Sequence, residues 1–237
     1  MVNVVLIANP QSRRVDLFQQ ALANGGLPKA QLVTYEELLA RQCALTDWDS
    51  PNTWFRFDAP ERSFATDRGF IATGADVDSL GNHHRISAMA ACALPEDKGR
   101  ILYPRQWYLG WRQSLQAWVA PLQGRIMNHP DDIVRMFDKV LCQRILQAAG
   151  IPIPPALTMD HPIQNYEQLK ARMAQTGTQR VFIKLAHGSS ASGVIAYECH
   201  GLHERAITTV ERSTGQGGLR FYNSRKIYAY RSSQHIS

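Results

Sequence analysis

The sequence predicts an α/β protein: a parallel sheet with crossover helices, followed by a smaller α+β portion. Three observations lead there. Short β-branched apolar runs alternate with stretches whose apolar residues recur at helical spacing, the signature of parallel strands joined by helices. After a Pro- and Gly-containing connector at residues 121–130 a new helix–strand–loop–strand series begins. The 237 residues are 44% hydrophobic and 19% charged, enough apolar material for a substantial core and too little charge for a disordered chain.

The elements follow in order. Residues 2–8 are a β-branched apolar run closed by Asn9-Pro10, a buried strand and its turn. Val15, Leu17, Phe18, Ala21 and Leu22 define a helix that Gly25-Gly26 ends. Residues 31–35 form a second strand, 36–42 a second short helix, and 54–58 a third strand. A helix is expected over residues 78–92. Residues 105–120 place Trp107, Trp111, Leu115, Trp118 and Val119 near one helical face, a core-facing stripe rather than a base-stacking platform. Asp131-Asp132 opens one long helix with Ile133, Phe137, Val140, Leu141 and Leu146 on its apolar face, ended by Gly150 before the Pro-rich 151–155. Another short helix spans 166–174. Strands at 180–185 and 194–197 flank the Gly/Ser loop and should pair as a hairpin. Residues 226–230 alternate like a strand, and Ser232-Ser233-Gln234 opens a helix.

Composition narrows the function. No run approaches the ~18 apolar residues a membrane-spanning helix needs. The N-terminus reads as a strand without a basic flank, so a cytoplasmic location is expected. Cys43, Cys92, Cys142 and Cys199 are scattered among apolar neighbours, as reduced thiols would be, and form no metal-binding pairs. His83-His84 with Asp76 and Asp78 lacks ligand spacing and reads as surface. The net charge is +6, and the stretch from Gly201 onward holds six basic and two acidic residues. A local excess of this kind suits one polyanionic ligand better than a nucleic-acid coat. Arg56, Asp58 and Arg62 follow the third strand, where α/β sheets place ligands, but read as a solvated charge cluster. Ser189, Ser190 and Ser192 have no evident base partner, which argues against a serine hydrolase.

The unit that carries chemistry is the strand ending in Lys184 and the loop from Gly188 through Ser189, Ser190 and Ser192 to Gly193. Glycines and serines let backbone N–H groups and hydroxyls approach phosphate oxygens, and the lysine adds a compact cation. No Gly-Lys-Ser/Thr follows, so this is not a Walker A loop. Around it stand Asn128-His129-Pro130, Asp138-Lys139 and Gly150-Ile151-Pro152-Ile153-Pro154.

This ordered series, over roughly residues 126–200, resembles the ATP-grasp superfamily in its first nucleotide-binding lobe. The resemblance implies a Rossmann-like domain over 1–125 and an ATP-grasp lobe over 126–237. It implies that Lys139 and Lys184 hold the phosphates of ATP beneath a flexible Gly188–Gly193 loop. It further implies ATP-dependent activation of a carboxylate as an acyl phosphate, attacked by an amine. Magnesium is expected with ATP, but its family ligands, a closely spaced Glu and Asn, are not found: only Glu204 and Glu211 follow Glu198, and Asn223 has no acid nearby. A Glu-bearing adenine hinge is not identifiable either. The chain is therefore expected to be a fragment or truncated form of a longer ligase. A non-catalytic nucleotide-binding or interaction module is the alternative.

Overall fold

A computed structural model describes residues 3–77, 84–158, 162–188, 192–201, 203–215 and 218–236. The chain is mixed α/β and forms two compact units. The first comprises Met1–Glu96 and Arg105–Val134, the second Asp97–Pro104 and Arg135–Ser237.

The first unit is built on a four-stranded parallel sheet: β1 (Asn3–Ile7), β2 (Gln31–Val33), β3 (Thr53–Phe57) and β4 (Arg125–Ile126), in the order β2-β1-β3-β4. Val5 pairs with Gln31 on one side and Phe55 on the other. Helix α1 (Arg13–Asn24) crosses between β1 and β2, capped by Ser12, whose hydroxyl accepts from the Arg14 N–H. It buries Val15 and Leu22 against Val4, Leu6 and Ala8. The second strand stops at Val33 rather than at residue 35. Thr34 and Glu37 there form a reciprocal capping box that starts α2 (Tyr35–Leu39) early.

Helices α3 (Phe64–Gly74), α4 (Ala88–Cys92) and α5 (Pro104–Val119) complete the core of this unit. Of the helix expected over 78–92, the described part is helical only at Ala88–Cys92, begun by the Ser87 cap; residues 78–83 lie outside the described residues. The aromatic stripe of α5 packs inward. Trp111 and Leu115 are buried, Trp107 stands edge-on to Phe70, and Trp118 meets Tyr35. Gln106 is buried with them; its amide donates to the Ile71 and Ile86 carbonyls and accepts the Ile86 N–H. Helix α3 approaches α5 so closely that a Cβ on Gly110 would lie 1.9 Å from the Phe70 carbonyl oxygen.

At the carboxyl ends of β1 and β3, where open parallel sheets usually keep a ligand crevice, the loops are tied to one another. Asn9 is fully buried, donates to the Glu61 carbonyl and accepts from Thr66 Oγ1. Ser12 Oγ donates to Glu61 Oε1, and Arg62 reaches the Gln11 carbonyl. Asp58 is buried and paired with Arg56 at 3.0 Å rather than standing in a solvated cluster.

The helix expected to run through residues 131–149 is two helices, the first of which spans the division of the chain at Val134. Helix α6 (Pro130–Phe137) stops and α7 (Lys139–Ala148) begins anew, because Asp138 is extended and caps the Leu141 N–H with its carboxylate. Helix α8 (Tyr166–Thr176) and a four-stranded antiparallel sheet follow: β5 (Arg180–Ile183), β6 (Ile195–His200), β7 (His203–Gly215) and β8 (Gly218–Tyr230), in sequential order. The expected hairpin of β5 and β6 forms, with Phe182 opposite Ala196. Met173 of α8 packs on Tyr197 and Ala206. Above them the buried Glu204 carboxylate accepts from Tyr166 and from Lys170. The far side of β5 faces outward, Phe182 being 72% exposed. Segment Asp97–Pro104 lies along β8: Ile101 N–H donates to the Phe221 carbonyl, Asn223 N–H to the Gly99 carbonyl, and Tyr222 Oη to Asp97. A short helix, α9 (Ser233–Ile236), follows β8.

Candidate functional site

The site is assembled where α7 begins and β5 ends, both in the second unit. Lys139 is the first residue of α7. A cation here sits at the positive end of the helix dipole, an unfavourable placement that an anionic ligand would reverse. Its main chain is pinned to the loop root: the Lys139 N–H donates to the Ala186 carbonyl at 3.0 Å, and Asp138 bridges His187 as an isolated antiparallel pair. The His187 ring is buried, its Nε2 3.6 Å from Asp138 Oδ2. The Lys139 ammonium, half-buried, donates to the Gly188 carbonyl at 2.6 Å.

Lys184 directly follows β5 and is exposed, with no ion pair among the described residues. Alternation along the strand puts it on the outward face with Phe182, while Val181 and Ile183 join the core. The two lysines are electrostatic neighbours. Burial lowers the Lys139 pKa, and the Lys184 charge lowers it further against the opposing pull of Asp138. A shared anion would relieve this repulsion.

The loop between them is rooted at both ends. At entry, Gly188 is held by Lys139. At exit, Gly193 adopts a φ of +67°, and a Cβ there would lie 2.8 Å from the Leu185 side chain; only glycine fits. Asn223 of β8 clasps this end, Oδ1 accepting the Gly193 N–H at 3.1 Å and Nδ2 donating to Ser192 Oγ at 2.5 Å. Ser189 and Ser190, the remaining candidates, lie outside the described residues.

Thus Lys139, Lys184, Gly188, Ser192 and Gly193 belong to one locality. Sequence reasoning did not find Asp138 as the residue that ends one helix and caps the next, nor Asn223 as the clasp. Asp138 carried a signal in its N-cap chemistry; Asn223 carried none, since its role depends on β8 returning beside the loop. Among the described residues no group of three or more His, Cys, Asp or Glu side chains is placed to hold a metal ion.

Comparisons with known proteins add little. No family model matches the chain, and no solved structure matches it. The curated BOS complex subunit NCLN of Gallus gallus is 29% identical over 118 residues, covering 48% of this chain. The match spans 21% of that relative's length. Among the described residues no helix is long and apolar enough to cross a membrane.

Proposed function

We propose that the second unit grips the triphosphate of ATP in the manner of the first nucleotide-binding lobe of ATP-grasp enzymes. On this reading the first unit is the Rossmann-like domain that precedes such a lobe. The observation that carries the reading is the pairing of Lys139 and Lys184, one from a helix start and one from a strand end, at the roots of a Gly/Ser loop. Phosphate oxygens take the place of the Gly188 carbonyl on Lys139 and engage Lys184 directly, each as a charge-assisted hydrogen bond. Phe182, outward-facing on the same strand face as Lys184, offers an apolar surface for the base.

The activity proposed for the whole protein is carboxylate–amine ligation. A substrate carboxylate oxygen attacks the γ-phosphorus and ADP leaves. An amine nitrogen then attacks the acyl carbon, losing a proton as inorganic phosphate departs. This chain's own residues bind and orient the triphosphate; no step is assigned here to a metal ion. A nucleotide-binding module without catalysis is the second reading.

Calorimetric titration with ATP tests the binding claim. Lys184→Ala should bind about 10- to 100-fold more weakly than wild type, the loss expected for one charged hydrogen bond, with an unchanged melting temperature. Equal affinity would overturn the assignment. ADP release with magnesium and a panel of carboxylates and amines separates the two readings.

A further inference from the structure

We propose that Asn223 is a positioning residue that turns the Ser192 hydroxyl into a hydrogen-bond donor for a phosphate-class anion. The inference rests on the loop being a phosphate grip, and it adds an orienting residue from a different strand.

The argument begins with hydrogen-bond polarity. A backbone N–H can only donate, so the Asn223 carboxamide must present its oxygen to Gly193, as it does at 3.1 Å. That fixes the other end: the Asn223 amide nitrogen faces Ser192 Oγ and donates to it at 2.5 Å. Ser192 is therefore the acceptor in this pair, and its own proton must point elsewhere. A hydroxyl that already accepts is polarised toward donation, which is what an anion requires.

Placement supports the same conclusion. Ser192 precedes Gly193, which packs directly on Leu185, the residue after Lys184. The hydroxyl thus belongs to the end of the loop adjoining the Lys184 cation. Asn223 is itself held firmly. Its N–H donates to the Gly99 carbonyl at 2.7 Å, and its neighbour Tyr222 is tied to Asp97 at 2.9 Å. These anchors use the main chain or another residue, so they survive replacement of the Asn223 side chain.

The replacement that separates orientation from mere tethering is Asn223→Asp. A carboxylate keeps an acceptor for the Gly193 N–H, so the loop stays tied. It cannot donate to Ser192, however, and instead accepts the Ser192 proton, withdrawing that donor from the ligand. Orientation predicts that Asn223→Asp weakens ATP binding by at least about tenfold and more than Asn223→Ala does. A simple tether predicts the opposite order.

Charge repulsion by the new carboxylate is controlled in a Ser192→Ala background. The loss caused by Asn223→Asp should shrink there, and Asn223→Ala should add almost nothing to Ser192→Ala, because the two side chains act as one unit. Affinities are read by calorimetry with ATP and with inorganic tripolyphosphate. Wild-type affinity in Asn223→Asp, or full additivity of Ser192→Ala with Asn223→Ala, overturns this proposal and leaves the phosphate grip standing. Failure of wild type to bind either probe overturns the grip itself, and the role of Asn223 with it.

Discussion

Gly110 of α5 meets Gly74 of α3 backbone to backbone. A Cβ on Gly110 would lie 1.9 Å from the Phe70 carbonyl oxygen and 2.6 Å from the Gly74 nitrogen, and one on Gly74 would lie 1.9 Å from the Gln106 carbonyl oxygen. Neither obstacle is a movable side chain. Gly110→Ala or Gly74→Ala must therefore push the two helices apart, separating the aromatic layer of Phe70, Trp107 and Trp111. Each should cost about 3 kcal/mol or more, as overpacking against fixed backbone does. Chemical denaturation reads this directly; a loss below about 1 kcal/mol would contradict the crossing.

Asp67 gives the first unit an unusual acid response. Burial pushes its carboxyl from 3.8 up to about 6, although the Trp107 indole donates to it at 2.8 Å and opposes the shift. A folded-state pKa above the unfolded one means the folded state binds more protons between those values. Stability from this group is thus greatest below about pH 4 and declines as pH rises to about 6. Asp67→Asn keeps an acceptor for the indole and removes the buried charge. The variant should gain about 1–2 kcal/mol at pH 7 and nothing at pH 4. Melting curves across this range settle the sign; an equal or lower melting temperature at pH 7 refutes it.

Lys139 titrates the other way. Burial and the Lys184 charge hold its pKa below the ordinary 10.5. Without ligand, the unfolded chain binds more protons between the depressed value and 10.5, so this lysine's contribution makes stability rise with pH there. A bound polyphosphate brings opposite charge and raises the Lys139 pKa again. Binding in that alkaline window should therefore take up protons, and affinity should fall as pH climbs through it. Titrations in two buffers of different ionisation enthalpy count those protons. Uptake that persists unchanged in Lys139→Met would refute the assignment.

The elements of the first unit were legible where local signals and tertiary demands agreed. The β-branched run before Asn9-Pro10 and the Val15–Leu22 face became β1 and α1. Element ends were missed where a side chain decided them, as Thr34 does at α2. The break at Asp138 escaped notice because the apolar period runs on across it. What interrupts it is Asp138, extended there, capping the Leu141 N–H and bridging His187, distant in sequence. Most of the β7–β8 ribbon escaped too. The sequence of β7 and of β8 up to residue 225 does not alternate cleanly, and the pairing itself is irregular between Thr208 and Val210. The phosphate candidates were readable as types in order along the chain. The meeting of Lys139 with Gly188 depends on α7 pairing with the loop root, and the clasp of Gly193 and Ser192 by Asn223 exists only once β8 returns beside them.

The strap at Asp97–Pro104 has a consequence for dissecting the protein. It pairs with β8 through Gly99, Arg100 and Ile101, yet residues 105–134 return to the other unit before the rest of the second unit begins. No single scission separates the two units cleanly. A fragment starting at Arg135 would leave the Phe221 carbonyl and the Asn223 amide as an unpaired sheet edge, free to recruit a foreign strand. Supplying residues 97–104 as a separate peptide would close that edge again, so independent expression of the second unit calls for split-fragment complementation rather than simple truncation.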